Sequence, residues 1–342
     1  MRWNALSLLG AAVLCAACQD GSDDLVGPPS SPTRNTIPAA CAGIAYTRPV
    51  YVADAAQLAG ALASAQAGDL IVLADGVYRR YAFDITVPGT ASSPITLCGS
   101  RNAVLRSTSL GAGGMIRLKT SYWRLRGFSV DSSQIGIHVT GGRQNVLDSL
   151  SVTRTGLAGI KIHQFSRSNI VRNNYIDDTG LVTPEYGEGI YLGTDSAAWG
   201  GQADTSDSTQ VLNNRFGPRV RSENVDVKEG TTGGTIAGNQ FNGQGMIAAA
   251  SALPHWVDSW VDVKGNGYVI RDNRGEYTLE FGIDVYSKVA GWGRNNQLLN
   301  NTFDLRGANG YGFHILAQPN LVSCSNTVVN AGKGFANVTC TP

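Results

Sequence analysis

A strand-length phrase recurs eight times along this chain and restricts it to a stack of coils. The first four copies are Ile116-Arg117-Leu118-Lys119, Ile137-His138-Val139-Thr140, Ile160-Lys161-Ile162-His163 and Ile190-Tyr191-Leu192-Gly193. The next four are Val225-Asp226-Val227-Lys228, Val261-Asp262-Val263-Lys264, Ile283-Asp284-Val285-Tyr286 and Phe313-His314-Ile315-Leu316. Each copy alternates apolar and polar residues, the period of a strand with one buried and one wet face. Successive copies start 21 to 36 residues apart, the spacing of a solenoid repeat. One such strand per coil describes an all-β parallel β-helix. Its polar positions then form two columns on one outer face.

A second ladder has the same period. Asn174, Asn214, Asn239, Asn273, Asn301 and Asn326 recur in contexts such as Asn-Asn-Tyr-Ile, Asn-Asn-Arg-Phe and Asn-Asn-Thr-Phe. Asparagine tolerates the left-handed region and bonds backbone at bends, so this ladder is expected to hold the fold and not to do chemistry. Forty-two glycines with only 15% charged residues suit many tight corners.

The apolar run from Ala5 to Ala17 is too short to span a membrane and reads as an export signal over residues 1–18. It ends Leu14-Cys15-Ala16-Ala17-Cys18, which resembles a bacterial lipoprotein signal with Cys18 as the lipidated residue. Any membrane association would then run through that lipid alone. Residues 19–46 form a linker rich in Gly, Ser, Pro and Asp, and residues 47–342 form the β-helix. The expected product is a monomer, exported to the cell envelope or secreted. A net charge of +1 with no basic stripe argues against nucleic acid as a partner. Four cysteines remain after the signal, and an even number in an exported chain reads as two disulfides. Cys324 and Cys340 share the last coil, which leaves Cys41 for Cys98. Asp54 is placed to cap a short helix to about Gln66, with Leu58 and Leu62 on its inner face, covering the open end of the stack.

The segment from Ala61 to Tyr78 resembles the N-terminal segment of polysaccharide lyase family 6, the chondroitinase B and alginate lyase family. The resemblance implies a right-handed parallel β-helix of the pectin-lyase-like kind. In that family a metal-binding Glu precedes the catalytic Lys by five residues, and Glu223 and Lys228 have that spacing. By resemblance, Lys228 is the base and Glu223 a calcium ligand. Two positions depart from the pattern. Arg221 stands where the family has a second acidic ligand, and Ala248-Ala249-Ala250-Ser251 stands near the family's catalytic Arg.

The columns themselves supply chemistry. Asp226, Asp262 and Asp284 stack at about 4.8 Å per coil, with Lys228 and Lys264 as an adjacent amine pair. Like charges at that spacing shift each other's pKa and mark a candidate site, although the same four charges also suit a salt-bridge network. The long insertions beside them carry Trp199, Trp256 and Trp260, with Trp292 after the third Asp. The expected partner is an acidic polysaccharide. The catalytic candidates are Lys228 and Lys264. The candidate Ca²⁺ ligands are Glu223, Asp226 and Asp262. The substrate-binding candidates are His163, Tyr191, Asp284, Tyr286, Trp260 and His314. In a lyase or C5-epimerase, Lys228 removes the proton next to a uronate carboxylate that Ca²⁺ or Lys264 neutralises. In a glycoside hydrolase the Asp column supplies acid and base, one coil apart for retention or two for inversion. A non-catalytic carbohydrate-binding β-helix is the third alternative.

Overall fold

The computed structural model describes residues 37–111, 113–247 and 258–342. The signal segment, Cys18, most of the linker, Trp256 and residues 248–251 lie outside them. The chain forms a right-handed parallel β-helix. Among the described residues it carries one α-helix, Ala55–Ala63, and three 3₁₀ turns. An eleven-stranded sheet runs from Arg48–Val52 to Leu321–Val322. A ten-stranded sheet runs from Gly76–Arg79 to Thr327–Val329, and another from Phe83–Ile85 to Gly334–Ala336.

The repeated phrase forms the last of these sheets in the register its spacing predicts. Arg117 pairs with His138, then Lys161, Tyr191, Asp226, Asp262, Asp284 and His314 follow in turn. Its apolar positions stack inside. Ile116, Ile137, Ile160, Ile190, Val225, Val261, Ile283 and Phe313 are all fully buried. Burying each such side chain contributes about 1.5–3 kcal/mol before entropy is subtracted.

The asparagines form a continuous ladder. Each Nδ2 from Asn174 to Asn301 donates to the Oδ1 of the next Asn, at 2.9–3.0 Å. That same Oδ1 also accepts from the preceding asparagine's backbone N–H. The left-handed bend belongs to the residue before the ladder position in every case but Asn326, as at Asn173, Asn213, Asp272 and Asn300. The first Asn of each Asn-Asn pair turns the chain and the second faces inward. Gly238 makes the same bend before Asn239.

Both ends are closed as expected. Asp54 Oδ1 accepts from the backbone N–H of Ala56 and Gln57, and Leu58 and Leu62 are buried. The helix ends at Ala63, three residues short of the predicted Gln66. Cys41–Cys98 and Cys324–Cys340 are both bonded, consistent with export. Cys41 is buried against Leu70, Val72 and Cys98, so part of the predicted linker packs on the β-helix.

Candidate active site

The wet column is not wet where it matters. Asp226, Asp262 and Asp284 are only 2%, 4% and 1% exposed. Lys264 is 1% exposed. Its Nζ donates to Asp226 Oδ1 at 2.8 Å and to Asp262 Oδ2 at 2.5 Å. Lys228 keeps 14% of its side chain exposed and pairs with Asp226 Oδ2 at 2.6 Å. Both oxygens of Asp226 are therefore held by ammonium groups. Burial pushes the Asp226 carboxyl up, but Lys228 and Lys264 outweigh it and hold the pKa at about 2. The Asp262 carboxyl is pushed up to about 6 by burial, against the pull of Lys264. Burial lowers Lys228, yet Asp226 wins and raises it. The second amine, Lys264, pulls Lys228 down as well, but the Asp226 carboxylate between the two outweighs it.

Tyr191 lies one coil before Asp226 with its ring between two amines. Lys161 Nζ is 4.4 Å and Lys228 Nζ 5.0 Å from the ring centre. Burial raises the phenol's pKa and keeps its proton in place. His163 stacks on His138, their centroids 4.7 Å apart, with Nε2 to Nε2 at 2.6 Å. Burial lowers these imidazoles to about 3 and about 4, so the pair is neutral at pH 7. His163 Nδ1 faces the Thr194 hydroxyl at 3.4 Å, and Thr194 donates to Asp204. On the far side, Tyr286 OH donates to Asp262 Oδ2 at 3.2 Å. His314 Nδ1 bonds Asp284 at 2.9 Å and its ring stacks on Phe281.

Three expectations change. Lys264 is clamped inside the fold between Asp226 and Asp262 and does not stand free on the outer face. Asp284 is likewise covered, and His314 Nδ1 bonds it from the next coil. Trp260 is a core residue, not a sugar platform: it is fully buried, donates Nε1–H to Tyr277 O and packs on Phe303. In register it stands where other coils have Gly136, Gly159, Gly189, Gly282 and Gly312, the position just before the repeated phrase. A glycine column at that place was the available signal. Trp199 is loop core, donating Nε1–H to Thr194 O beside Gly230.

The acidic cluster differs too. Glu188, Glu223 and Asp226 bring carboxylate oxygens within 4.8 Å of one another, and Asp262 stays outside that trio. Glu188 was missed, although it stands two residues before Ile190 as Glu223 stands two before Val225. Burial and then Asp226 push Glu188 up to about 7 and Glu223 well above its ordinary range. Arg221 turns away to Asp178 and to Thr179 O.

No family model matches the sequence, and no curated protein is similar to it. Solved structures are similar. A pectate lyase matches with TM-score 0.57 at 18% identity, over 87% of this chain and 80% of that one. An alginate lyase of polysaccharide lyase family 6 gives 0.50 and 18%, over 80% and 40%. These two show the fold alone. An alginate lyase from Paenibacillus sp. str. FPU-7 gives TM-score 0.80 at 33% identity, over 85% of this chain and 99% of that one. With that identity over nearly the whole of that enzyme, the chain belongs to the family of the Paenibacillus alginate lyase.

Proposed function

We propose that this protein is a polysaccharide lyase that cleaves a uronic-acid-containing polymer, with alginate the first substrate to try. The carrying observation is Lys228. It is the partly exposed amine of the acidic cluster, beside a protonated Tyr191, in a chain of an alginate lyase's family. In the reaction Lys228 takes the C5 proton of a uronate, and the electrons left behind form a C4–C5 double bond. The C4–O bond breaks, and the Tyr191 phenol gives its proton to the leaving oxygen. The products are an unsaturated sugar and a new reducing end.

Calcium does not fit the acidic cluster as it stands. Both Asp226 oxygens are bonded to ammonium groups, and Glu223 Oε2 is taken by the Ser222 hydroxyl. The buried Lys264 takes the place a cation would have between Asp226 and Asp262. A hydrolytic Asp pair is disfavoured for the same reason, because Lys264 bridges the two carboxylates and leaves no room for a sugar.

A panel of alginate, pectate, glycosaminoglycan and glucuronan, with calcium or with EDTA, tests this reading. Ultraviolet absorbance and reducing ends should rise together on one of the polymers, and EDTA should leave the rate unchanged. Reducing ends without absorbance would mean hydrolysis, and neither signal on any polymer would leave a binding protein.

A further inference from the structure

The lyase reading leaves the substrate's carboxylate without a partner, since Lys264 is out of reach. We propose that Asp195 holds the place of a uronate carboxylate in the resting site, and that Lys288 binds that carboxylate when substrate displaces Asp195. This rests on the reading of the site as a uronan lyase.

Asp195 caps the 3₁₀ turn Ser196–Ala198, with Oδ1 accepting from Ala197 N–H at 3.0 Å. Its Oδ2 bonds Lys288 Nζ and lies 3.9 Å from Lys228 Nζ. Asp195 follows the strand of Tyr191, while Lys288 follows the strand of Asp284, three coils further on. The pair therefore bridges the coils of Asp226 and Asp262, a span of about 14 Å at the usual strand spacing. A planar carboxylate already sits between the proposed base and a second amine, where a uronate's own carboxylate has to lie.

The two kinds of ion pair in this site differ in exposure. The Lys264 contacts are sealed, and breaking them would strand a buried charge. Asp195 and Lys288 are 30% and 39% exposed, and an exposed pair contributes little. It can be exchanged for a chemically identical partner at little cost. Lys288 is not released when that happens. The fully buried Glu229 lies 3.9 Å from its Nζ and accepts from Ser196 N–H at 2.8 Å, tying the amine and the turn to the same spot. Substrate exchanges one carboxylate for another, and Glu229 keeps Lys288 in position throughout.

The alternative is a plain clip between two loops, and the two ideas predict different signs. Asp195→Asn keeps the capping oxygen but removes the negative charge from between the two amines. Lys288→Gln removes the amine. Binding is read as retardation in gels containing alginate or pectate, and KM from initial rates on the polymer that the wild type cleaves. A stand-in carboxylate predicts a severalfold lower KM and stronger retardation for Asp195→Asn. For Lys288→Gln it predicts a KM roughly tenfold higher, the loss of one charge-assisted bond. A clip predicts that both variants weaken binding and lower the melting temperature together. Shifts in the same direction, or no shift, overturn the proposal. Wild-type protein that is retarded but makes no unsaturated product overturns the lyase reading instead, and the retardation of the two variants still decides Asp195 and Lys288.

Discussion

Lys228 is the residue whose chemistry is most exposed to test. Its pair with Asp226 is mostly buried, so Lys228→Ala would strand a carboxylate oxygen and confuse lost stability with lost chemistry. Lys228→Arg avoids this, because the guanidinium keeps the charge yet cannot give up its proton. The Arg variant should melt close to the wild type while kcat falls by about 10²–10⁴. Wild-type turnover by Lys228→Arg would eliminate it as the base. Because Asp226 raises its pKa, Lys228 is charged at neutral pH, and a base works only after losing its proton. The expected pH–rate profile therefore climbs into the alkaline range, and one that falls there would contradict the assignment. Glu188 offers a second test, in stability. Its folded pKa of about 7 lies above the ordinary 4.5, so folding favours its neutral acid. The stability it contributes is fully present below about pH 4.5 and is lost as pH rises through 7. Glu188→Gln stays neutral throughout. Its urea midpoint should match the wild type at pH 4.5 and exceed it at pH 8, by on the order of 2–3 kcal/mol. An equal difference at both pH values would mean that Glu188 is ionised in the fold.

At the scale of the strand and bend, the asparagine ladder is the element with most at stake. Asn239 Oδ1 accepts from the N–H and Nδ2 of Asn214, and its own Nδ2 donates to Val211 O and Asn273. Asn239→Ala deletes all of these and leaves buried groups unpaired, each costing about 1–3 kcal/mol. Its urea midpoint should drop by at least the equivalent of about 2 kcal/mol, whereas Asn309→Ala, on the exposed surface and outside the left-handed region, should leave it nearly unchanged. These elements were legible in the sequence because a strand's period of two and an amide ladder are local patterns repeated many times. The strand register, both disulfides and the helix cap follow from such patterns. The site was legible only in part. Lys228, Tyr191 and Glu223 fall at repeat positions, and so does Glu188 once the strands are aligned. What the pattern could not show is depth. A polar residue on an outer face reads as wet, yet Lys264 and the three aspartates are buried, packed against Lys228, Tyr286 and His314 of the same columns. The sign of the Lys228 shift depends on Asp226 lying between the two amines, and spacing along the chain does not encode that.

For the whole molecule, the solenoid plan means that each coil contacts mainly its neighbours, so stability is local and the ends are weakest. The chain guards both ends with covalent links. Cys41–Cys98 joins residues 57 apart at the start, and Cys324–Cys340 joins residues 16 apart in the last coil. By loop length alone these links are worth about 4 and about 3 kcal/mol. The coils proposed to carry catalysis, around Ile190–Leu192 and Val225–Val227, lie several coils from either end. Removing the last link by Cys324→Ser with Cys340→Ser should therefore loosen the terminal strands Tyr311–Ile315 and Gly334–Ala336 without reaching the site. Hydrogen exchange read segment by segment should quicken in those two strands. Protection at Ile190–Leu192, and activity at 25 °C, should stay at the wild-type level. Exchange that quickens equally in every coil would instead mean that the stack opens as one unit. The last link would then stabilise the catalytic coils directly, and activity on heating should fail in step with the terminal coil.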